Sequence, residues 1–236
     1  MSDPDPPSAL PRPAAVLFDL DGTLVDTVEA RIGAWLEVFE QFDVPATREQ
    51  VTALIGVDGK RLAREVAAAA GRPIDGDQAE EIDRICGEIF ERRNQNPRPL
   101  PGVHALVAEI ELVGISWVIA TSSRREQVAT SIRALGLEGE PTIVDGSRVE
   151  HAKPEPDLLL LAAREIAVDP GRCWYVGDST WDMVSAVAAG MIPIGVTAGS
   201  AVDGDALRAS GGLLVVPTLD ELVESFRSSV ATRPLG

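Results

Sequence analysis

The chain has 236 residues, of which 45% are hydrophobic and only 4% aromatic, enough for a continuous core built mainly from Ala, Val, Leu and Ile. A net charge of −16 argues against a nucleic-acid or anionic-membrane partner, which would call for a basic face. No run approaches the roughly 20 apolar residues of a membrane span, and Cys86 and Cys173 are too few and too far apart for a disulfide framework or a zinc site.

Residues 1–13 are rich in Pro and Asp and lack a basic apolar signal segment, so they are expected to form a disordered leader on a cytoplasmic protein. The apolar run 14–20 reads as a strand, and similar runs follow at 115–120, 142–144, 173–176, 192–196 and 213–216. Their apolar character is continuous rather than alternating, which suits strands covered on both faces. Between the first run and the second lie helical patterns over 27–42, 48–55, 59–70 and 77–94, broken at Pro45, Gly56 and Gly71-Arg72-Pro73. This stretch is too long for one crossover and predicts an inserted all-α cap over 25–96, with the stiff segment Asn96-Pro97-Arg98-Pro99-Leu100-Pro101-Gly102 as the return. Helical stretches at 103–113, 126–135, 157–166, 181–189 and 219–227 alternate with the later strands. The alternation predicts an α/β, Rossmann-like open parallel sheet with helices on both faces, built from 14–24 and 97–230 and followed by a tail over 231–236.

The first strand runs into Asp19-Leu20-Asp21-Gly22-Thr23, and in an open parallel sheet the carboxyl ends of the strands are where ligands bind. Spacing of two aims both carboxylates from one side of an extended segment, and Gly22 permits a sharp turn. Two close carboxylates repel, which favours a shared cation or one raised pKa. A plain Asp-Gly turn is the bland alternative, and a calcium loop fits poorly because Gly22 comes too early. A second acidic pair, Asp178 and Asp182, follows the strand at 173–176; alone it could be a helix cap, but two acidic strand ends in one sheet weaken that reading. Carboxylates with a backbone carbonyl form an oxygen donor set that suits Mg²⁺. Thr121 and Ser122 follow the second strand, and Lys153 precedes the helix start marked by Pro154 and Pro156. Together they supply a hydroxyl, N–H groups and a cation, the requirements of a phosphoryl group, although an exposed lysine and a simple cap are the default readings. The lone histidines, His104 and His151, receive no catalytic role.

Asp-x-Asp-Gly-Thr, Thr121-Ser122, Lys-Pro-x-Pro and Gly-Asp-x-x-x-Asp in this order resemble the haloacid dehalogenase superfamily from about Ala14 to Val223. The insertion resembles the small helical cap of the branch that contains phosphoglycolate phosphatases, sugar-phosphate phosphatases and β-phosphoglucomutases. The resemblance implies Asp19 as nucleophile and Asp21 as general acid, then base. It also implies Mg²⁺ held by Asp19, the Asp21 carbonyl and Asp178, with Asp182 orienting a metal-bound water. Thr121 and the Ser122 amide would hold phosphate oxygens, and Lys153 would offset charge between Asp19 and the phosphate. One departure is Ala152, where relatives usually have Gly.

The expected function is therefore a Mg²⁺-dependent phosphatase acting on a small phosphorylated metabolite, a sugar phosphate or a phosphoglycolate-like acid, through an aspartyl phosphate. The first alternative is a sugar-phosphate mutase, whose relatives carry a cap His where this chain has Arg31. The second is a phosphate-binding module that has lost its chemistry, which the presence of Asp19, Asp21, Lys153 and Asp178 disfavours. The resemblance gives specificity to the cap, and Arg31, Lys60 and Arg61 are candidates to meet a second anionic group, against the alternative of solvated charges on helix faces. Oligomeric state is not readable from the sequence.

Overall fold

The computed structural model describes residues 10–151 and 153–231. Six strands, β1 (Ala15–Phe18), β2 (Ser116–Thr121), β3 (Ile143–Asp145), β4 (Cys173–Gly177), β5 (Ile192–Val196) and β6 (Leu214–Val216), form one parallel sheet in the order β3-β2-β1-β4-β5-β6. Central β1 pairs Ala15 with both Ser116 and Cys173. From β1 the chain winds outward to β3, then returns to lay β4 on the other side of β1. The crevice where the winding reverses, between the carboxyl ends of β1 and β4, is where such sheets bind ligands.

Side chains alternate across the sheet. Val16 and Phe18 join Trp174 and Val176 in a cluster closed by α5 (Val103–Leu112), α6 (Arg125–Ala134) and α10 (Leu219–Ala231). Ala15 and Leu17 join Cys173 and Tyr175 under α7 (Asp157–Glu165) and α8 (Thr180–Ala188). A short helix, α9 (Gly204–Ala209), lies between β5 and β6. Its six residues bury only Leu207, too little for a periodic signal, so the sequence reading passes over it.

The first connection carries four helices: α1 (Val28–Gln41), α2 (Arg48–Thr52), α3 (Gly59–Ala69) and α4 (Gly76–Arg93). They bury a separate apolar cluster that includes Ile32, Trp35, Phe39, Leu62, Val66 and Phe90. Thr47 with Gln50 and Asp75 with Gln78 form capping boxes that start α2 and α4. The two chain crossings between helices and sheet run side by side, with Asp26 N–H donating to the Arg98 carbonyl and Leu100 N–H to the Leu24 carbonyl, each at 2.9 Å.

Two expectations about the termini change. Leu10 is buried in the sheet core, and the Pro11 carbonyl accepts the Trp174 indole N–H at 3.0 Å, so residues 10–13 are packed rather than disordered. A buried indole needs an acceptor, and a flanking strand supplies none. Helix α10 continues to Ala231, four residues beyond its expected end, so Ala231 is helix rather than tail. The expectations for 1–9, Ala152 and 232–236 lie outside the described residues. No described helix is long and apolar enough to cross a membrane.

Candidate active site

Asp19 stands just past β1, its N–H still paired with the Val176 carbonyl at 2.9 Å. Gly22 turns the chain with φ +86°, a conformation costly for any residue with a Cβ. A Cβ there would also collide with the Asp178 carboxylate, so this glycine lets the ends of β1 and β4 meet. Asp178 accepts the Thr23 hydroxyl at 3.0 Å. Lys153 is 1% exposed, and its ammonium donates to Asp19 Oδ1, to Asp182 Oδ1 at 2.8 Å and to the Tyr175 hydroxyl at 3.0 Å. A lysine so deeply buried is tolerable only because carboxylates match its charge.

Asp182 divides its two oxygens between tasks. Oδ2 accepts the Ser179 N–H at 3.0 Å and its hydroxyl at 2.6 Å in the capping box of α8. Oδ1 accepts Lys153 and the Tyr175 hydroxyl, both at 2.8 Å. Asp182 thus serves at once as a helix cap and as a partner of Lys153. Sequence reasoning placed Tyr175 only within the apolar strand at 173–176; its ring packs in the core, but its hydroxyl belongs to this network. A tyrosine in a strand that runs into Asp178 was the available signal.

Asp19, Asp178 and Asp182 each present an oxygen within 4.8 Å of the others. Burial pushes Asp19 up to about 7, with Asp182 and Asp21 adding to the effect against the pull of Lys153. Burial, then repulsion from Asp182 and Asp19, holds Asp178 well above the usual carboxylate range. Burial alone would lower Lys153, but Asp182 and Asp19 outweigh it and keep the ammonium charged. One cation among three buried carboxylates leaves a negative surplus. All-oxygen donors with a surplus of negative charge fit a hard divalent cation. Because both Asp182 oxygens are already engaged, Asp19 and Asp178 are the acids left to contact such an ion.

Asp21 points toward the helices. Its Oδ1 accepts the Thr27 hydroxyl at 2.7 Å, and its Oδ2 accepts Arg31 at 2.6 Å and the Ser123 hydroxyl at 3.2 Å. Thr27 stands at the N-cap of α1 yet spends its hydroxyl on Asp21 instead of the helix. Arg31 also donates to Ser123 at 3.0 Å and lies 3.5 Å over the Phe90 ring, so its plane and charge are both engaged. The expected reader of a second anion is thus committed to Asp21. Thr121 is buried at the end of β2 and accepts the Ser123 N–H at 3.2 Å; the Ser122 hydroxyl donates to the Gly56 carbonyl at 3.2 Å, joining sheet to helices.

Above these groups is a cavity of about 330 Å³, bounded by Asp19, Asp21, Thr121, Ser122 and Asp178 on the sheet side and by Trp35, Val57 and Leu62 on the helical side. Lys60 lines it, 3.7 Å from Glu80. Arg61 does not: it pairs with Glu65 at 2.6 Å and faces the Trp181 ring. Successive helical residues point about 100° apart, so adjacent Lys60 and Arg61 cannot share a face. Sequence reasoning missed Arg124, which reaches from the sheet side to Glu80 and, at 3.4 Å, to Asp83 on α4.

A family model described as haloacid dehalogenase-like hydrolase matches residues 16–196. The chain belongs to the haloacid dehalogenase-like hydrolase family. This hydrolase is 30% identical over 213 residues to the probable phosphatase IndB of Dickeya dadantii, an alignment covering 88% of this chain and 91% of the relative. To β-phosphoglucomutase of Bacillus subtilis it is 28% identical over 224 residues, covering 90% and 96% respectively. The crystal structure of a hydrolase from Pseudomonas syringae superposes with a TM-score of 0.85 at 29% identity, over 89% of this chain and 96% of that one. The hydrolase is an enzyme of the phosphatase type.

Proposed function

We propose that this hydrolase is a Mg²⁺-dependent phosphatase that releases phosphate from a small phosphorylated metabolite, a sugar phosphate or a phosphoglycolate-like acid, through an aspartyl phosphate on Asp19. The observation that carries the reading is the buried Lys153 bridging Asp182 and the cavity-lining Asp19, with Asp21 as a separate carboxyl two residues on from Asp19. Asp19 and Asp178, with the Asp21 backbone carbonyl, would hold the ion. When bound, it offsets negative charge between the attacking carboxylate and the phosphate.

The residues then divide the reaction. Lys153 pulls against the burial that raises Asp19 and holds its Oδ1. An Asp19 oxygen attacks phosphorus as the ester P–O bond breaks, and Asp21 delivers a proton to the departing oxygen. In the second half Asp21 takes a proton from water, whose oxygen attacks phosphorus; the P–O bond to Asp19 breaks and inorganic phosphate departs. Arg31, Thr27 and Ser123 fix Asp21 in the resting arrangement, and the donor role requires its carboxyl to turn toward the leaving oxygen. Thr121 and the Ser122 amide line the cavity as holders of phosphate oxygens.

Arg31 also bears on the mutase alternative. A guanidinium does not exchange protons near neutrality, so it cannot stand in for a gating imidazole. The test is phosphate release from a panel of phosphorylated metabolites with Mg²⁺ or with EDTA. Release that needs Mg²⁺ is expected. Undiminished turnover in EDTA after exhaustive dialysis, or interconversion of sugar phosphates without net phosphate release, would overturn the reading.

A further inference from the structure

The cavity's cations are all spoken for. Of the three that line it, Arg31 pairs with Asp21, Lys60 lies 3.7 Å from Glu80, and Arg124 pairs with both Glu80 and Asp83. Asp83 is different. It lines the cavity from α4 and is 9% exposed, yet among the described residues its carboxylate accepts no hydrogen bond, its nearest cation being Arg124 at 3.4 Å. The start of α3 lies against it so closely that a Cβ on Gly59 would overlap its Oδ1. Burial pushes Asp83 up to about 6 against the pull of Arg124.

We propose that Asp83 is a specificity-determining residue, accepting hydrogen bonds from the hydroxyls of a neutral polyhydroxylated leaving group and rejecting leaving groups that carry a second anion. The inference rests on the phosphatase reading above and chooses within it. An under-donated carboxylate gains from a sugar or polyol hydroxyl. A second phosphate or carboxylate would meet like charge from Asp83 and Glu80, and the lining cations already face carboxylates, which is discrimination by repulsion. The cavity, about 330 Å³, is of the class that holds whole metabolites rather than only a phosphate.

The experiment measures kcat/KM of the full-length protein with Mg²⁺ for sorbitol 6-phosphate, glucose 6-phosphate, 2-phosphoglycolate, fructose 1,6-bisphosphate and p-nitrophenyl phosphate. The wild type should favour the better of the two neutral-headed substrates over 2-phosphoglycolate by about 100-fold or more. Asp83→Asn should shrink that ratio by about tenfold or more, and Asp83→Glu, which keeps the charge, should shrink it less. A purely structural ion pair between Asp83 and Arg124 would leave the ratio unmoved, and that result in the folded variant would overturn the proposal. If neither variant folds, the wild-type ratio decides. Ordinary p-nitrophenyl phosphate turnover with a preference for 2-phosphoglycolate or the bisphosphate would sink this inference alone. No turnover of any ester would bring down the phosphatase reading and this inference together.

Discussion

The two ends of the cavity handle charge in opposite ways. At the sheet end, Lys153, Asp19, Asp178 and Asp182 are almost wholly buried and their positions are fixed by strand ends, a capping box and the Tyr175 hydroxyl. At the helical end, Lys60 and Glu80 are two-fifths to half exposed, while Asp83 is buried but poorly satisfied. Buried charge is expensive to hold and expensive to disturb, because removing one partner strands the other away from water. Half-exposed pairs gain little and cost little to exchange. The proposed function would thus set its chemistry on the rigid floor and its recognition on the more exchangeable wall.

The largest effect should come from the floor. Asp19→Asn should lower turnover by about 10⁴-fold or more while the folded state is retained, since an amide cannot form an acyl phosphate. Steady-state and single-turnover assays with a sugar phosphate check this, and near-normal rates in a folded variant would mean that the nucleophile lies elsewhere. Asp21→Asn should slow turnover by roughly 10² to 10⁴. The slowing of the first step should be greater for a sugar phosphate than for p-nitrophenyl phosphate, whose phenolate leaves without a proton. The variant should also accumulate phosphoenzyme with the aryl ester. Equal slowing of both first steps without trapped phosphoenzyme would reassign Asp21 to a role in positioning.

On the wall the expected effects are smaller, and one has the opposite sign. Asp83 stands at about 6 in the folded protein against an ordinary 3.8, so the folded state binds its proton more tightly than the unfolded chain does. Its contribution to stability is therefore present below pH 3.8 and is lost as pH rises through about 6. Asp83→Asn removes that loss, and the variant should exceed the wild type by about 1 to 3 kcal/mol at pH 8, with the gap closing by pH 4. Urea melts at the two pH values measure it; a variant less stable at pH 8 would show that the Arg124 pairing outweighs the burial of charge. Arg124→Ala should be the mildest change, raising KM by less than about fivefold and reducing its sensitivity to salt, because the pairs it breaks are partly exposed. A change of orders of magnitude in kcat would move Arg124 from the wall to the floor.

What the sequence made legible follows the same division. Asp19, Asp21 and Asp178 could be found because apolar strands announce their ends, and Lys153 because two prolines mark the helix after it. Thr23 and Thr27 could not be found as site residues, since their local patterns satisfy ordinary roles in a turn and a cap. Only contacts across the fold, such as the one between Thr23 and Asp178, reveal their further use. Asp83 and Arg124 meet across 41 positions and carry no motif. Arg61 was named beside Lys60 because the resemblance gives specificity to the cap, although one step along a helix turns a side chain away from its neighbour's face.

The paired crossings between sheet and helices have a mechanical meaning. Asp26 is bonded to Arg98 and Leu100 to Leu24, so the chain leaves and re-enters the sheet as a two-stranded ribbon rather than through two separate tethers. A ribbon bends readily about one axis but resists shear and twist, because either would break its rungs. Any swing of the helices away from the floor is thereby confined to something like the arc of a door. The contacts at the free edge, between Ser122 and Gly56 and between Trp181 and the Ala53 carbonyl at 3.0 Å, are the ones such a swing would have to break. The fluorescence of Trp181 should follow that swing directly.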